Sequence, residues 1–110
     1  MMIEKKLAIN ILKKVSLIEE RPQMMFAGKP KFLQLIDFFY GYIEGISEVS
    51  EKRIHNELSI WYNSRVSIQS SLLWSEHIKL NMKNETDDKS SSYLINLFKE
   101  YFEQFLTASS

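Results

Sequence analysis

The sequence predicts an all-α protein, a single-domain bundle of about five helices over residues 1–110. Three observations carry that expectation. Apolar residues recur at three- and four-residue spacing in five separate stretches, the pattern of helices with one buried face. No run alternates with period two between hairpin turn residues, so strands are not expected. A chain of 110 residues has the length of one domain, and no Gly/Ser/Pro linker or internal repeat divides it. Such a chain buries about two thirds of the surface its unfolded form exposes, enough for a core without covalent staples.

The first helix is expected from about Ile3 to Glu19, where Leu7, Ile11, Leu12, Val15 and Ile18 fall on one side and the lysines mostly on the other. Arg21-Pro22 ends it, because the residue before a proline resists the α conformation. Glu20 to Pro30 is an irregular connection holding an apolar triplet, Met24-Met25-Phe26. Loops usually carry polar side chains, so these three either pack beneath the loop or form a contact surface.

Pro30 suits the first position of a second helix, running to about Ser47. Phe32, Ile36, Phe39, Ile43 and Ile46 make one stripe, and Leu33, Leu35, Phe38, Tyr40 and Tyr42 cover most of the remainder. A helix so nearly apolar all round is normally the buried centre of a bundle. Asp37, Glu44 and Glu48 form its acidic edge. Gly41 and Gly45 share a face, and since each costs about 1 kcal/mol relative to alanine, close approach of another helix is expected there.

A third helix is expected from about Glu51 to Ser64, capped by Ser47 or Ser50, with Ile54, Leu58 and Trp61 buried. Ser67 to Ser71 is a serine-rich break. A fourth helix follows over about Ser71 to Met82, with Leu72, Trp74, Ile78 and Met82 apolar. Asn84 to Ser91 reads as a polar loop. The last helix, about Ser91 to Leu106, has a stripe of Leu94, Leu97, Phe98, Tyr101, Phe102 and Phe105.

Lysine plus arginine equals aspartate plus glutamate, 14 each. A nucleic-acid binder needs a basic excess to neutralise phosphates, so direct nucleic-acid binding is not expected. From Val66 onward there are six acids and four lysines, a bias that suits a basic protein partner. The absence of cysteine excludes disulfides and thiolate metal sites. Lys5, Lys6, Lys13 and Lys14 interrupt the N-terminal apolar run, so a signal peptide is not expected. No stretch approaches the roughly 20 apolar residues of a membrane span. The expected location is the cytoplasm.

No catalytic constellation is expected. Ala27-Gly28-Lys29 resembles the end of a phosphate-binding loop but lacks the earlier glycine, and Pro30 stands where Ser or Thr is required. Arg21-Pro22-Gln23-Met24 matches a segment of gyrase-type ATPases, which need a glycine-rich lid and an α/β domain. His55 and His77 have no partner at helical spacing that would make a metal pair, and read as surface or half-buried imidazoles. The serines at 70, 71 and 90–92 read as caps and loop. Trp61 and Arg65 are one turn apart, so the guanidinium can lie over the indole. Both tryptophans, Trp61 and Trp74, read as core residues, or one of them with Arg65 as an interface anchor. No cofactor is implied.

Several fragments together resemble a known group. Arg21-Pro22-Gln23-Met24-Met25-Phe26-Ala27-Gly28, Phe38-Phe39-Tyr40-Gly41-Tyr42, Trp61-Tyr62-Asn63-Ser64-Arg65, Ser71-Leu72-Leu73-Trp74 and Phe98-Lys99-Glu100-Tyr101-Phe102 are similar, in kind and order, to the small helical immunity proteins of contact-dependent growth inhibition and related bacterial polymorphic toxin systems. Two positions depart from the pattern: those proteins have glycine where Gln23 stands and tyrosine where Met25 or Phe26 stands. The resemblance implies a non-enzymatic inhibitor that binds a cognate toxin domain, often a nuclease acting on tRNA, and covers its active site. On that reading the partner-binding candidates are Asp37, Glu44, Glu48, Glu85, Asp87, Asp88, Met24, Met25 and Phe26. Arg21, Pro22, Gly28, Gly41, Trp61, Arg65 and Trp74 would form the structural framework. The rival expectation is a non-catalytic helical adaptor or regulator of another protein. Surplus apolar surface on the aromatic helix also allows a homodimer.

Overall fold

The computed structural model describes residues 3–107, and among them there are five α-helices and no strand. The helices are α1 (Lys5–Glu20), α2 (Phe32–Ser50), α3 (Ile54–Val66), α4 (Trp74–Asn81) and α5 (Asp87–Thr107), with a short 3-10 turn at Pro22–Met24. The predicted all-α class is the observed one. No helix among the described residues is long and apolar enough to cross a membrane.

The chain forms two compact units. One joins the segment up to Phe32 to the segment from Asp87 onward; the other is Leu33–Thr86. In the first, α1 and α5 are antiparallel neighbours: Glu19 pairs with Lys99, and Leu106 lies with Ile9 and Leu12. Ala8, Ile11, Val15 and Ile18 of α1 are buried, at the four- and three-residue steps that the sequence pattern demands. Leu94, Ile95, Leu97, Phe98, Tyr101 and Phe102 are buried on α5. Arg21 ends α1 as expected, its N–H reaching the Leu17 carbonyl at 2.7 Å. Gly28 has φ +128°, a conformation closed to side-chain-bearing residues.

Each helix starts two to four residues from its expected position, and one hydrogen bond accounts for the shift in α2. α2 begins at Phe32, not Pro30, and its first N–H donates to Asp87 Oδ1 at 2.9 Å. The cap is supplied across the unit and not by a preceding Ser or Asp. α5 begins at Asp87, four residues before Ser91. Its polar first turn carries no apolar stripe, but Asp87 and Asp88 suit the positive end of a helix dipole. Ser90 is buried as part of this helix and does not belong to a loop.

In the Leu33–Thr86 unit, α2 continues through Ser50, whose hydroxyl donates to the Ile46 carbonyl at 2.7 Å and so does not cap α3. Glu51 takes a left-handed conformation, φ 58°, and α3 starts at Ile54. Its buried residues are Ile54, Leu58 and Tyr62; Trp61 is half-buried and Arg65 exposed. Tyr62 can be buried in place of Trp61 because Asn81 Nδ2 donates to its hydroxyl at 2.8 Å. α4 starts at Trp74, and its first N–H donates to Ser59 Oγ on α3 at 2.9 Å. Leu72 is therefore ahead of the helix and exposed. Trp74 is fully buried, and so is His77, which the sequence placed at or near the surface.

Candidate protein-binding surface on the second helix

Helical spacing sorts α2 into two faces. Phe32, Leu35, Ile36, Phe39 and Ile43 are buried, and Gln34, Asp37, Gly41, Glu44, Gly45 and Glu48 are exposed. The acidic edge and the two glycines therefore share one strip. A Cβ added at Gly41 or Gly45 would meet nothing within 4 Å, so the expected close approach of another helix does not occur there. α2 is likewise not an all-round buried centre. Its exposed large apolar side chains, Leu33 and Val49, stand near its two ends.

Beside this strip α2, α3 and α4 bring together a stacked set of rings. The Tyr40 ring lies 4.3 Å from the His55 imidazole, and His55 lies 6.1 Å from Trp74, all near parallel. Trp74 Nε1 donates to His55 Nδ1 at 3.0 Å. An indole N–H can only donate, so Nδ1 must carry a lone pair, and the imidazole is neutral with its proton on Nε2. Nε2 lies 3.0 Å from Glu44 Oε2, close enough for strong attraction although short of a well-aligned hydrogen bond. Burial pushes the His55 pKa below its ordinary value, and the Glu44 carboxylate opposes that shift in part. Glu44 is thus tethered at one oxygen while its side chain stays 60% exposed on the strip.

A cleft of about 260 Å³ opens next to the rings, lined by Asp37, Tyr40, Leu73, Ser75, Glu76 and Lys79. Lys79 Nζ lies 3.1 Å from Glu76 Oε2 and 3.8 Å from Asp37 Oδ1. One ammonium against two carboxylates leaves the cleft net negative, continuous with Glu44 on the same helix. The arrangement can receive cationic side chains, and arginine matches paired carboxylates best.

The other predicted contact residues are spread more widely. Asp87 is used as the α2 cap. Asp88 pairs with Lys29 at 2.7 Å; both are exposed, and the contact lowers the Asp88 pKa and raises that of Lys29. Neither aspartate belongs to a loop, and only Glu85 of the three lies outside a helix. Met24 is 62% exposed, while Met25 and Phe26 are half-buried, so the triplet divides between surface and interior. The 3-10 turn at Pro22–Met24, built on Pro22, turns the first of them outward. Asp37, Glu44 and Glu48 are the acids the fold does gather. The Tyr40–His55–Trp74 stack escaped sequence reasoning because its members come from three helices. Ser59, one turn after His55 and holding the Trp74 N–H, was the one local hint.

No family model, curated protein or solved structure matches this chain.

Proposed function

We propose that this chain is a protein inhibitor that binds the catalytic domain of a toxin, of the nuclease kind, through the exposed strip of α2. The observation that carries the reading is the strip itself: Asp37, Glu44 and Glu48 aligned on an uncovered face, with Gly41 and Gly45 leaving room for a partner's backbone. An enzyme that cleaves RNA presents a basic cleft, and an acidic strip complements it in charge and competes with phosphate. Charge complementarity speeds the encounter, and buried anchors slow release. The sequence fragments shared in kind with immunity proteins support the same reading, and the inhibitor would act in the cytoplasm, where RNA is cut.

The test is co-purification with the toxin domain encoded immediately upstream, followed by titration of its activity. A stoichiometric complex of nanomolar affinity with loss of toxin activity is expected. Reversal of Asp37, Glu44 and Glu48 to lysine should slow association most, with a weaker dependence on salt. Full affinity in that triple variant would remove α2 from the contact, and absence of any complex would remove the inhibitor reading.

A further inference from the structure

A second surface lies on the α1–α5 unit. Ile9, Leu12, Leu17 and Leu106 line an open groove of about 410 Å³. Ile9 is 36% exposed and the other three are half-buried, so the groove is an apolar surface left partly in water. Lys13 and Glu20 stand on its rim, both exposed, and among the described residues neither has an ion-pair partner.

The order of these residues along α1 names an occupant. Lys13 and Glu20 are seven residues apart, two turns or about 10 Å along the axis, so they cannot satisfy each other within one helix. Place a second α1 antiparallel to the first, with a two-fold axis between Ser16 and Leu17. Lys13 of each copy then lies opposite Glu20 of the other, twice. Ser16, the smallest side chain of the groove, falls at the crossing point, where helix axes approach to roughly 8–10 Å. Leu17 shares the crossing point with Ser16, and Leu12 lies one turn before it. A two-fold interface must be complementary to itself, and this rim is: one cation and one anion, equally spaced from the axis.

We propose that the groove on α1 and Leu106 is a homodimer interface, occupied by α1 of a second copy of this chain and held in register by reciprocal Lys13–Glu20 ion pairs. The groove shares no residue with the acidic strip of α2.

Sedimentation velocity on the full chain across micromolar concentrations tests it, with three variants. The unaltered chain should sediment as a dimer. Lys13→Glu and Glu20→Lys alone each turn two attractive pairs into two repulsive ones, and each should weaken association about tenfold or more. The double variant Lys13→Glu/Glu20→Lys restores opposite charges across the axis and should dimerise again. Both sites are exposed on α1, so unchanged circular dichroism separates loss of association from loss of fold. A monomeric unaltered chain would overturn the proposal. So would dimerisation of all three variants, which would place the contact elsewhere, or a double variant no better than the singles, which would break the pairing.

Discussion

The two units bury different kinds of group. On α1 and α5 the buried side chains are aliphatic and aromatic with one serine, Ser90, among them. The Leu33–Thr86 unit buries His77, Ser75 and the indole of Trp74, and its half-buried His55 is wired to Trp74 by a hydrogen bond. An apolar interior tolerates changes that keep volume. Where the interior holds a hydrogen bond, as between Trp74 and His55, the donor must keep its acceptor, because a buried polar group stripped of its partner loses about 1–3 kcal/mol.

The difference can be broken most directly at Trp74. Trp74→Phe leaves a ring in place but removes the N–H that His55 Nδ1 accepts. The loss should reach about 2–4 kcal/mol, the orphaned acceptor added to the smaller ring. Phe98→Leu, an apolar exchange on α5, should stay near about 1 kcal/mol. Urea denaturation of both variants makes the comparison, and equal losses would mean that the hydrogen bond contributes nothing.

Acid sharpens the same contrast. The folded imidazole of His55 binds its proton below the ordinary value, so between the two values the unfolded chain holds more protons than the folded one. Stability then rises with pH, is fully present above about pH 6.5, and is lost as the pH falls through the folded value. Burial of the ring is the main cause of the shift, and a second proton on Nδ1 would also face the Trp74 N–H. Denaturation midpoints taken at descending pH should fall, and His55→Gln should flatten that fall. A steeper fall in the variant would assign the titration to another group.

The smallest effect has the opposite sign. Gly41→Ala and Gly45→Ala place a methyl group in open space on a helix, and each should stabilise the chain by about 0.5–1 kcal/mol. If the strip receives a partner's backbone, the same substitutions lower affinity for that partner while raising Tm. A gain in stability with unchanged affinity would separate the glycines from binding.

This contrast also decides what the sequence disclosed. Apolar stripes announced all five helices, and Arg21-Pro22 fixed the end of α1, because both signals act locally. All five helix starts lie two to four residues from expectation, and in α2 and α4 for one reason: the Phe32 and Trp74 N–H groups donate to Asp87 and Ser59, remote in sequence. The acidic edge was legible as a period. That the glycines lie open beside it was not, since a small residue in a helix reads equally as a close crossing or as a gap. Burial of His77 and Tyr62 in place of Trp61 depended on partners, Asn81 among them, that only the fold brings near.

The Asp87 cap has a consequence for biosynthesis. Fifty-five residues separate the Phe32 amide from the carboxylate that receives it. A ribosome making this chain emits α2 long before it emits the group that completes it. Until Asp87 has emerged, α2 has an unfinished end and Phe32 lacks the segment that completes its unit. The order of synthesis thus leaves the nascent chain most in need of a chaperone between its second helix and its fifth.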